Sequence, residues 1–348
     1  MMPALTTERQ LFVDDAFIDE QRGLTRRLHQ PRRHEFNPIL VAAYPWEGDR
    51  VMPGAVLRNP RTGQFQLWYC TSCVGKMDTA QTPEEKDRVA GYVCYAESDD
   101  GLHWRRPALG VQESSVAWKL PWEAPPQADR TRQNNILMRS LALGGAERPE
   151  LGLEFLCRDE QEPDPARRYK ALIWQQGDRY KELDERGAIA AGKMLTAHCA
   201  AFSADGIHWT QSGPVLTYPR FRDAGSAMQD WKNRRFVGFF KTALRERRTR
   251  AVCVSQDLIH WSEPEVILEA DEHDPRDAQI YDNSGFIYES LYLGTLGLFR
   301  AGDEATIQQQ LTHSRDGLHW VRGFDRQTFF PHGQPGADWD GGLSLIHI

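Results

Sequence analysis

The sequence predicts an all-β fold, a five-bladed β-propeller of four-stranded blades, and three observations carry that prediction. A seven-residue phrase recurs four times, as SDDGLHW (98–104), SADGIHW (203–209), SQDLIHW (255–261) and SRDGLHW (314–320). Its tryptophans, Trp104, Trp209, Trp261 and Trp320, stand 105, 52 and 59 residues apart, and about 50–60 residues make one four-stranded blade with its loops. Between the phrases lie short aromatic and β-branched runs bounded by turn residues, with no sustained helical period.

LFVDDAFI (11–18) reads as a strand that closes the propeller by pairing into its last blade, which removes an exposed sheet edge. Each blade then reads strand, strand, turn, strand. FQLWYC (65–70), YKALIW (169–174), RFVGFFK (235–241) and SLYLGTL (290–296) form one set of strands. GYVCYAES (91–98), LTAHCAAFS (195–203), RAVCVS (250–255) and IQQQLTHS (307–314) lead into the phrase. Within it, Asp-Gly supplies the positive φ of a tight turn, and the Ser and Asp side chains can bond backbone N–H groups. Only the third copy lacks the glycine, with Leu258 in its place. The tryptophan opens the outer strand and is expected to be buried between blades. A motif written into every blade marks architecture rather than chemistry. The first, double-length gap is read as an insertion, because 110–135 is proline-bearing and shows no alternation. The blades are expected at about 51–104, 129–209, 223–261 and 277–320, with a partial fifth at 336–348. That fifth opens with GADWDGG and stops at LSLIHI, which resembles adapter read-through at the end of a metagenomic reading frame. A longer natural protein is expected, and this chain is expected to be less stable than one with a complete fifth blade.

The 348 residues are 40% hydrophobic and 10% aromatic, ample for one large all-β domain. A net charge of −7 speaks against a nucleic-acid or anionic-membrane partner. No apolar run is long enough to span a bilayer, and the N-terminus lacks the apolar region of a secretory signal, so a cytoplasmic location is expected. Cys94, Cys157, Cys199 and Cys253 fall in strand-like runs and read as small buried hydrophobes. Cys70 and Cys73 form a lone C-x-x-C with no second pair to complete a zinc site. No ligand spacing points to a metal, and no cofactor is expected.

The innermost strand of each blade runs along the central channel, so side chains ahead of it are expected to converge on one mouth. Acids stand there in turn. Glu47 and Asp49, beside Trp46, precede blade one; Asp129, Asn134 and Asn135 precede blade two; Arg222, Asp223 and Asp230 open blade three; Arg276, Asp277 and Asp282 open blade four; Asp338 and Asp340 open the partial fifth. Arg-Asp-Ala at 222–224 and 276–278 is a second internal repeat. Glycoside cleavage needs such a set: one acid to protonate the leaving oxygen, one carboxylate as nucleophile or base, others to hold hydroxyls. The neighbouring Arg can lower the acid's pKa or bind substrate. The bland reading is a solvated turn aspartate.

LFVDD (11–15), RLHQP (27–31), NPIL (37–40), RYKAL (168–172) and the four phrases together resemble a branch of the five-bladed propeller glycosidases, the invertase-, levanase- and arabinanase-like glycoside hydrolase families 32, 43 and 68. The resemblance runs along nearly the whole chain. It implies a carbohydrate substrate and three acids on neighbouring blades, and some relatives hold one Ca²⁺ in the channel. Carried over, the first acid falls on Asp49 near Trp46, as nucleophile or base. The Arg-Asp of the second motif falls on Arg158–Asp159, without the following Pro. The Glu-Cys of the third does not occur, and Glu289, read as lying in a channel-side strand, is the nearest candidate for the general acid. The catalytic candidates are therefore Asp49, Asp159, Asp223, Asp277 and Glu289, with Trp46, Asn135, Arg222, Arg276 and His273 as substrate-binding residues. Three alternatives stay open. They are a non-catalytic sugar-binding propeller, a glycoside phosphorylase (His273 beside Arg276 being the nearest Arg/His pair for phosphate), and a sialidase-like propeller, whose Asp-box is one residue longer than the phrase here.

Overall fold

The computed structural model describes residues 7–48, 50–72, 91–114, 131–139, 151–177, 195–216, 225–244, 247–302, 306–334, 338 and 341. They form four antiparallel sheets, each running in chain order from its first strand to its fourth. Blade one comprises β1 (Arg50–Arg58), β2 (Phe65–Ser72), β3 (Tyr92–Ser98) and β4 (Ile136–Arg139); blade two comprises β5 (Leu151–Arg158), β6 (Tyr169–Gly177), β7 (Leu195–Ser203) and β8 (Trp209–Leu216). Blade three has β9 (Gly225–Asp230), β10 (Arg235–Leu244), β11 (Arg247–Ser255) and β12 (Glu265–Leu268). Blade four has β13 (Ala278–Tyr288), β14 (Leu291–Arg300), β15 (Ile307–Ser314) and β16 (Val321–Arg322), and β17 (Thr328–Phe330) also pairs with β15. No helix among the described residues is long and apolar enough to cross a membrane.

The five-blade expectation is overturned: among the described residues the sheets number four, and no strand follows Phe330. Most of 336–348, where the partial fifth was expected, lies outside the described residues. Two further expectations shift. Asn134 and Asn135 do not lead into blade two; they precede β4, the last strand of blade one, which closes only after the long 99–135 connection. LFVDDAFI is no strand. It is tied to blade four by side chains instead: Asp14 accepts from Arg315 (2.7 Å) and sits 3.4 Å from His313, and Arg315 lies over Phe17.

The chain divides into two compact units, one of His34–Asp223 and one of Met1–Arg33 with Ala224–Ile348. Each holds two blades, with a buried cluster shared between them. In the first, Trp68, Tyr95, Leu153, Ile173 and Ala201 pack together; in the second, Val237, Phe239, Ile280, Leu296 and Trp320 do. β10, a middle strand, is a nearly continuous buried run rather than an alternating one, while in the outer β12 Glu265 and Val266 are exposed and only Leu268 is buried.

The repeated phrase is the turn between the third and fourth strands, built alike in all four blades. In the second copy, the Ser203 hydroxyl donates to Asp205 and accepts from the Gly206 N–H (2.9 Å). Asp205 Oδ1 accepts from the N–H groups of Ile207 and His208, both at 2.8 Å, and Oδ2 holds His208 Nδ1 at 2.8 Å. The other copies repeat each bond. The residue at the glycine position takes φ of 79°, 80°, 66° and 76° in copies one to four, the third being Leu258. The indole N–H of Trp209, Trp261 and Trp320 closes the turn on the carbonyl of that residue. Burial is uneven: Trp320 is buried, the other three half-buried. Ser, Asp and His share this turn, yet they form no catalytic triad, because serine bonds aspartate rather than the imidazole.

Candidate functional site

The described candidates fall into two groups, those at the leading end of a blade's first strand and those at its trailing end. The leading end of blade one is the most elaborate. A short 3-10 turn, Pro45–Glu47, precedes β1 and ends on Gly48 at φ 67°. Glu47 is completely buried. One carboxylate oxygen accepts from the backbone N–H of Ala43 (2.7 Å) and Tyr44 (3.1 Å). The other accepts from the Tyr69 hydroxyl (2.5 Å) and from Arg106 Nε (2.6 Å). A buried carboxylate costs several kcal/mol unless its oxygens are satisfied, and four donors satisfy this one. Asn135 joins the same knot: its amide donates to Tyr69 Oη and the Tyr95 carbonyl, both at 2.7 Å, and accepts the Trp46 indole N–H at 2.9 Å. Burial, then the neighbouring Cys94 and Glu47, push the Tyr69 phenol well above its ordinary pKa, so it stays a donor. The two sequence candidates Trp46 and Asn135 are thus brought together. Tyr69 and Arg106 were missed by sequence reading, since each meets Glu47 only through the fold and not by any local spacing. Asp49, the candidate nucleophile, lies outside the described residues, as do Arg222 and Asp223.

The leading end of blade four carries Asp277, directly before β13. Arg300 Nε donates to it at 2.9 Å and the Gly302 N–H at 3.1 Å. The Arg300 hydrogen bond is the main cause that holds its carboxyl below the usual range. Its neighbour Arg276 is exposed, and so is His273, which sits 3.4 Å from Asp271. Asp271, Glu272 and His273 could gather around a cation at the surface, but Arg326 already holds Asp271.

Further along β13, Asp282 is buried beside a register shift. It accepts from the Gly297 N–H (2.8 Å) and lies in the niche that this glycine leaves, where a Cβ would meet the carboxylate at 2.5 Å. Burial pushes its pKa up, opposed by Arg250, Gln309 and Lys241. Lys241 and Arg250 are themselves buried cross-strand neighbours on β10 and β11. This cluster links blades three and four; Asp282 itself was read in the sequence among the acids of blade four, but its partners Lys241, Arg250 and Gln309 were not.

The trailing ends hold the remaining candidates. Asp159 follows β5 and is clasped by the buried Lys170 (2.5 Å), which also reaches Glu162 (2.7 Å). Contrary to the expectation of a channel-side strand, Glu289 occupies the β13–β14 turn at φ 53°, where its carboxylate accepts from the Arg9 N–H (3.2 Å). Asp230 holds the equivalent turn of blade three, bound by Arg235, Asn233 and Tyr292. Asp277 and Glu289 therefore stand at opposite ends of an eleven-residue strand, about 40 Å apart at ~3.3 Å per residue. Two carboxylates that flank one glycosidic bond need about 5–9.5 Å, so these two are not brought together.

No family model matches the chain, and no curated protein matches it in sequence. Its fold is similar to that of solved structures. One is an N-acetylgalactosamine deacetylase from F. plautii in complex with blood group B trisaccharide, at TM-score 0.51 and 14% identity, covering 90% of this chain and 79% of that one. Another is a fructofuranosidase from Schwanniomyces occidentalis complexed with fructosylnystose, at TM-score 0.51 and 15% identity, covering 91% of this chain and 53% of that one. The chain thus spans about half the length of the fructofuranosidase. At such identities the likeness is one of fold, an all-β propeller, here with four blades.

Proposed function

We propose that the chain is a carbohydrate-active propeller that hydrolyses glycosidic bonds with carboxylates carried at the leading ends of its first strands. The observation that carries this reading is Asp277, an aspartate presented one residue ahead of a first strand and kept anionic by Arg300. An anion there can act as nucleophile or base, or stabilise positive charge on a sugar ring; it has no proton to give, so protonation of the leaving oxygen falls to a separate acid. Asp49 and Asp223 precede β1 and β9 in the sequence in the same way, and Asp49 is assigned nucleophile or base. Both fold relatives act on carbohydrates, which supports the substrate class. Glu289 and Asp159, tied into trailing-end turns, are assigned to structure. The sugar-binding alternative is favoured by one observation: Asp277, Asp159 and Glu47 each already hold a cationic partner.

Nitrophenyl glycosides, sucrose, levan and arabinan offered to the whole chain separate the two readings. On whichever substrate is cleaved, Asp49→Asn and Asp277→Asn are expected to lower kcat by about 10²–10⁴-fold, the usual worth of such a group. Glu289→Gln is expected to leave turnover unchanged. Near-full activity in both aspartate variants overturns the assignment, and binding without any turnover gives the sugar-binding reading.

A further inference from the structure

We infer that Tyr44 and Trp46, stacked face to face at the leading end of blade one, form a platform for a sugar ring, with Glu47 as the positioning residue beneath it. The inference rests on the carbohydrate reading above and assigns it a binding surface. The two rings lie 4.8 Å apart and within 8° of parallel. Tyr44 is 39% exposed. A lone exposed aromatic means little, but the loop under this one is unusually fixed.

Glu47 accepts from the backbone N–H of Tyr44 itself and of the residue before it. The Trp46 indole is bound to Asn135, and its carbonyl accepts from Thr71. Arg106 ties Glu47 and the Val41 carbonyl together and passes 5.5 Å from the centre of the Tyr44 ring. A buried, fully satisfied carboxylate therefore sets an exposed aromatic pair in one geometry. A preorganised aromatic loses little conformational freedom when something stacks on it. A sugar suits such a place, with an apolar C–H face for the ring and hydroxyls for flanking polar groups. Arg106 stands alongside as a donor, and Asp49 follows three residues after Trp46 in the chain. The aliphatic neighbours Ile39 and Val41 offer no flat face, so the stacking role falls to Tyr44.

The test titrates the full chain with fructosylnystose, arabinotriose and the blood group B trisaccharide, following heat and tryptophan fluorescence. At least one is expected to bind. Tyr44→Ala is expected to weaken that binding by about tenfold with little change in Tm, and Tyr44→Phe to retain it. Glu47→Gln is expected to weaken binding and also to blur the near-ultraviolet dichroism of Trp46, which a purely distant stability effect would leave alone. Unchanged affinity in Tyr44→Ala overturns the platform. If the chain cleaves a substrate with the same KM in that variant, the platform fails and the hydrolase reading stands. If sugars bind through Tyr44 but none is cleaved, the platform stands and the hydrolase reading fails. Neither binding nor cleavage sinks both.

Discussion

The turn after the third strand is the same in every blade, whereas the described ends of the first strands differ from one another. The turn has one hydrogen-bond pattern, repeated four times down to the aspartate that holds the histidine ring nitrogen. At the leading ends, blade one has a buried glutamate knot and blade four an Asp–Arg pair; at the trailing ends, blade two has an Asp–Lys clasp and blade three an Asp–Arg–Tyr cluster. Repetition marks what every blade needs in order to pack. Variation marks where one blade can acquire a task that its neighbours lack.

The strongest way to break that comparison is through the tryptophans. If the phrase is architecture, truncating it should cost stability in proportion to burial. Trp320 is buried among Phe239, Gly285 and Gly294, so Trp320→Ala is expected to destabilise by about 3–5 kcal/mol. The half-buried Trp209 should cost less. Urea unfolding of both variants measures this. A loss for Trp320 no larger than that for Trp209 would mean that the phrase does not hold blades together through its indole.

These residues also show what the sequence made legible. The phrase, its turn geometry and the strands on either side of it could be read, because Asp-Gly and alternating apolar runs encode local structure within a few residues. Blade number could not. Text such as GADWDGG looks like the start of a blade, but a blade exists only when four strands pair, and local pattern does not report pairing. The leading-end acids were legible as a list of positions. Their partners were not, since Glu47 meets Tyr69 and Arg106 only through the fold. Glu289 was misplaced for a related reason: IYESLYLG reads as one continuous strand, and only the backbone reveals a turn at Glu289.

A smaller effect sharpens the turn itself by separating backbone strain from crowding. Gly101 and Gly206 share nearly the same φ, 79° and 80°. An added Cβ at Gly206 would stand 2.9 Å from Trp68 and 3.2 Å from Tyr169, whereas at Gly101 the nearest atom is 3.7 Å away, on Phe65. Gly101→Ala is expected to cost about 1 kcal/mol, the strain of a left-handed residue, and Gly206→Ala about 1 kcal/mol more for overpacking. Leu258 shows how the strain can be offset, for its side chain is fully buried and burial of a leucine contributes about 1.5–3 kcal/mol. Leu258→Gly should therefore destabilise, although glycine is the residue of the other three copies. Equal losses at Gly101 and Gly206 would show that crowding at the turn is relieved by movement of Trp68.

The smallest effect is the dependence of these turns on pH, and its sign differs for the two partners. For Asp205 and Asp257, burial alone would raise the pKa; hydrogen bonds from the side chain and backbone of His208 and His260 reverse this and bring both carboxyls down to about 2. Asp100 and Asp316 are also held below the ordinary value of 3.8, Asp100 chiefly by the backbone N–H of His103 and Asp316 by His319 against the effect of burial. A depressed carboxylate contributes stability that is present above its unfolded pKa, near 4, and is lost as pH falls towards 2. His319 runs the other way. The Asp316 hydrogen bond raises its pKa above 6.5, so its contribution is complete below 6.5 and is lost as pH rises through the raised value. Thermal melts from pH 2 to 9 should therefore show a steep acid limb, with four aspartates acting together, and a shallow decline above about pH 6.5. His319→Gln should flatten the shallow limb and leave the acid limb in place, since three other copies of the turn still titrate. An acid limb that disappears with this one substitution would mean that the four turns are not independent copies, and that blade four alone governs acid unfolding.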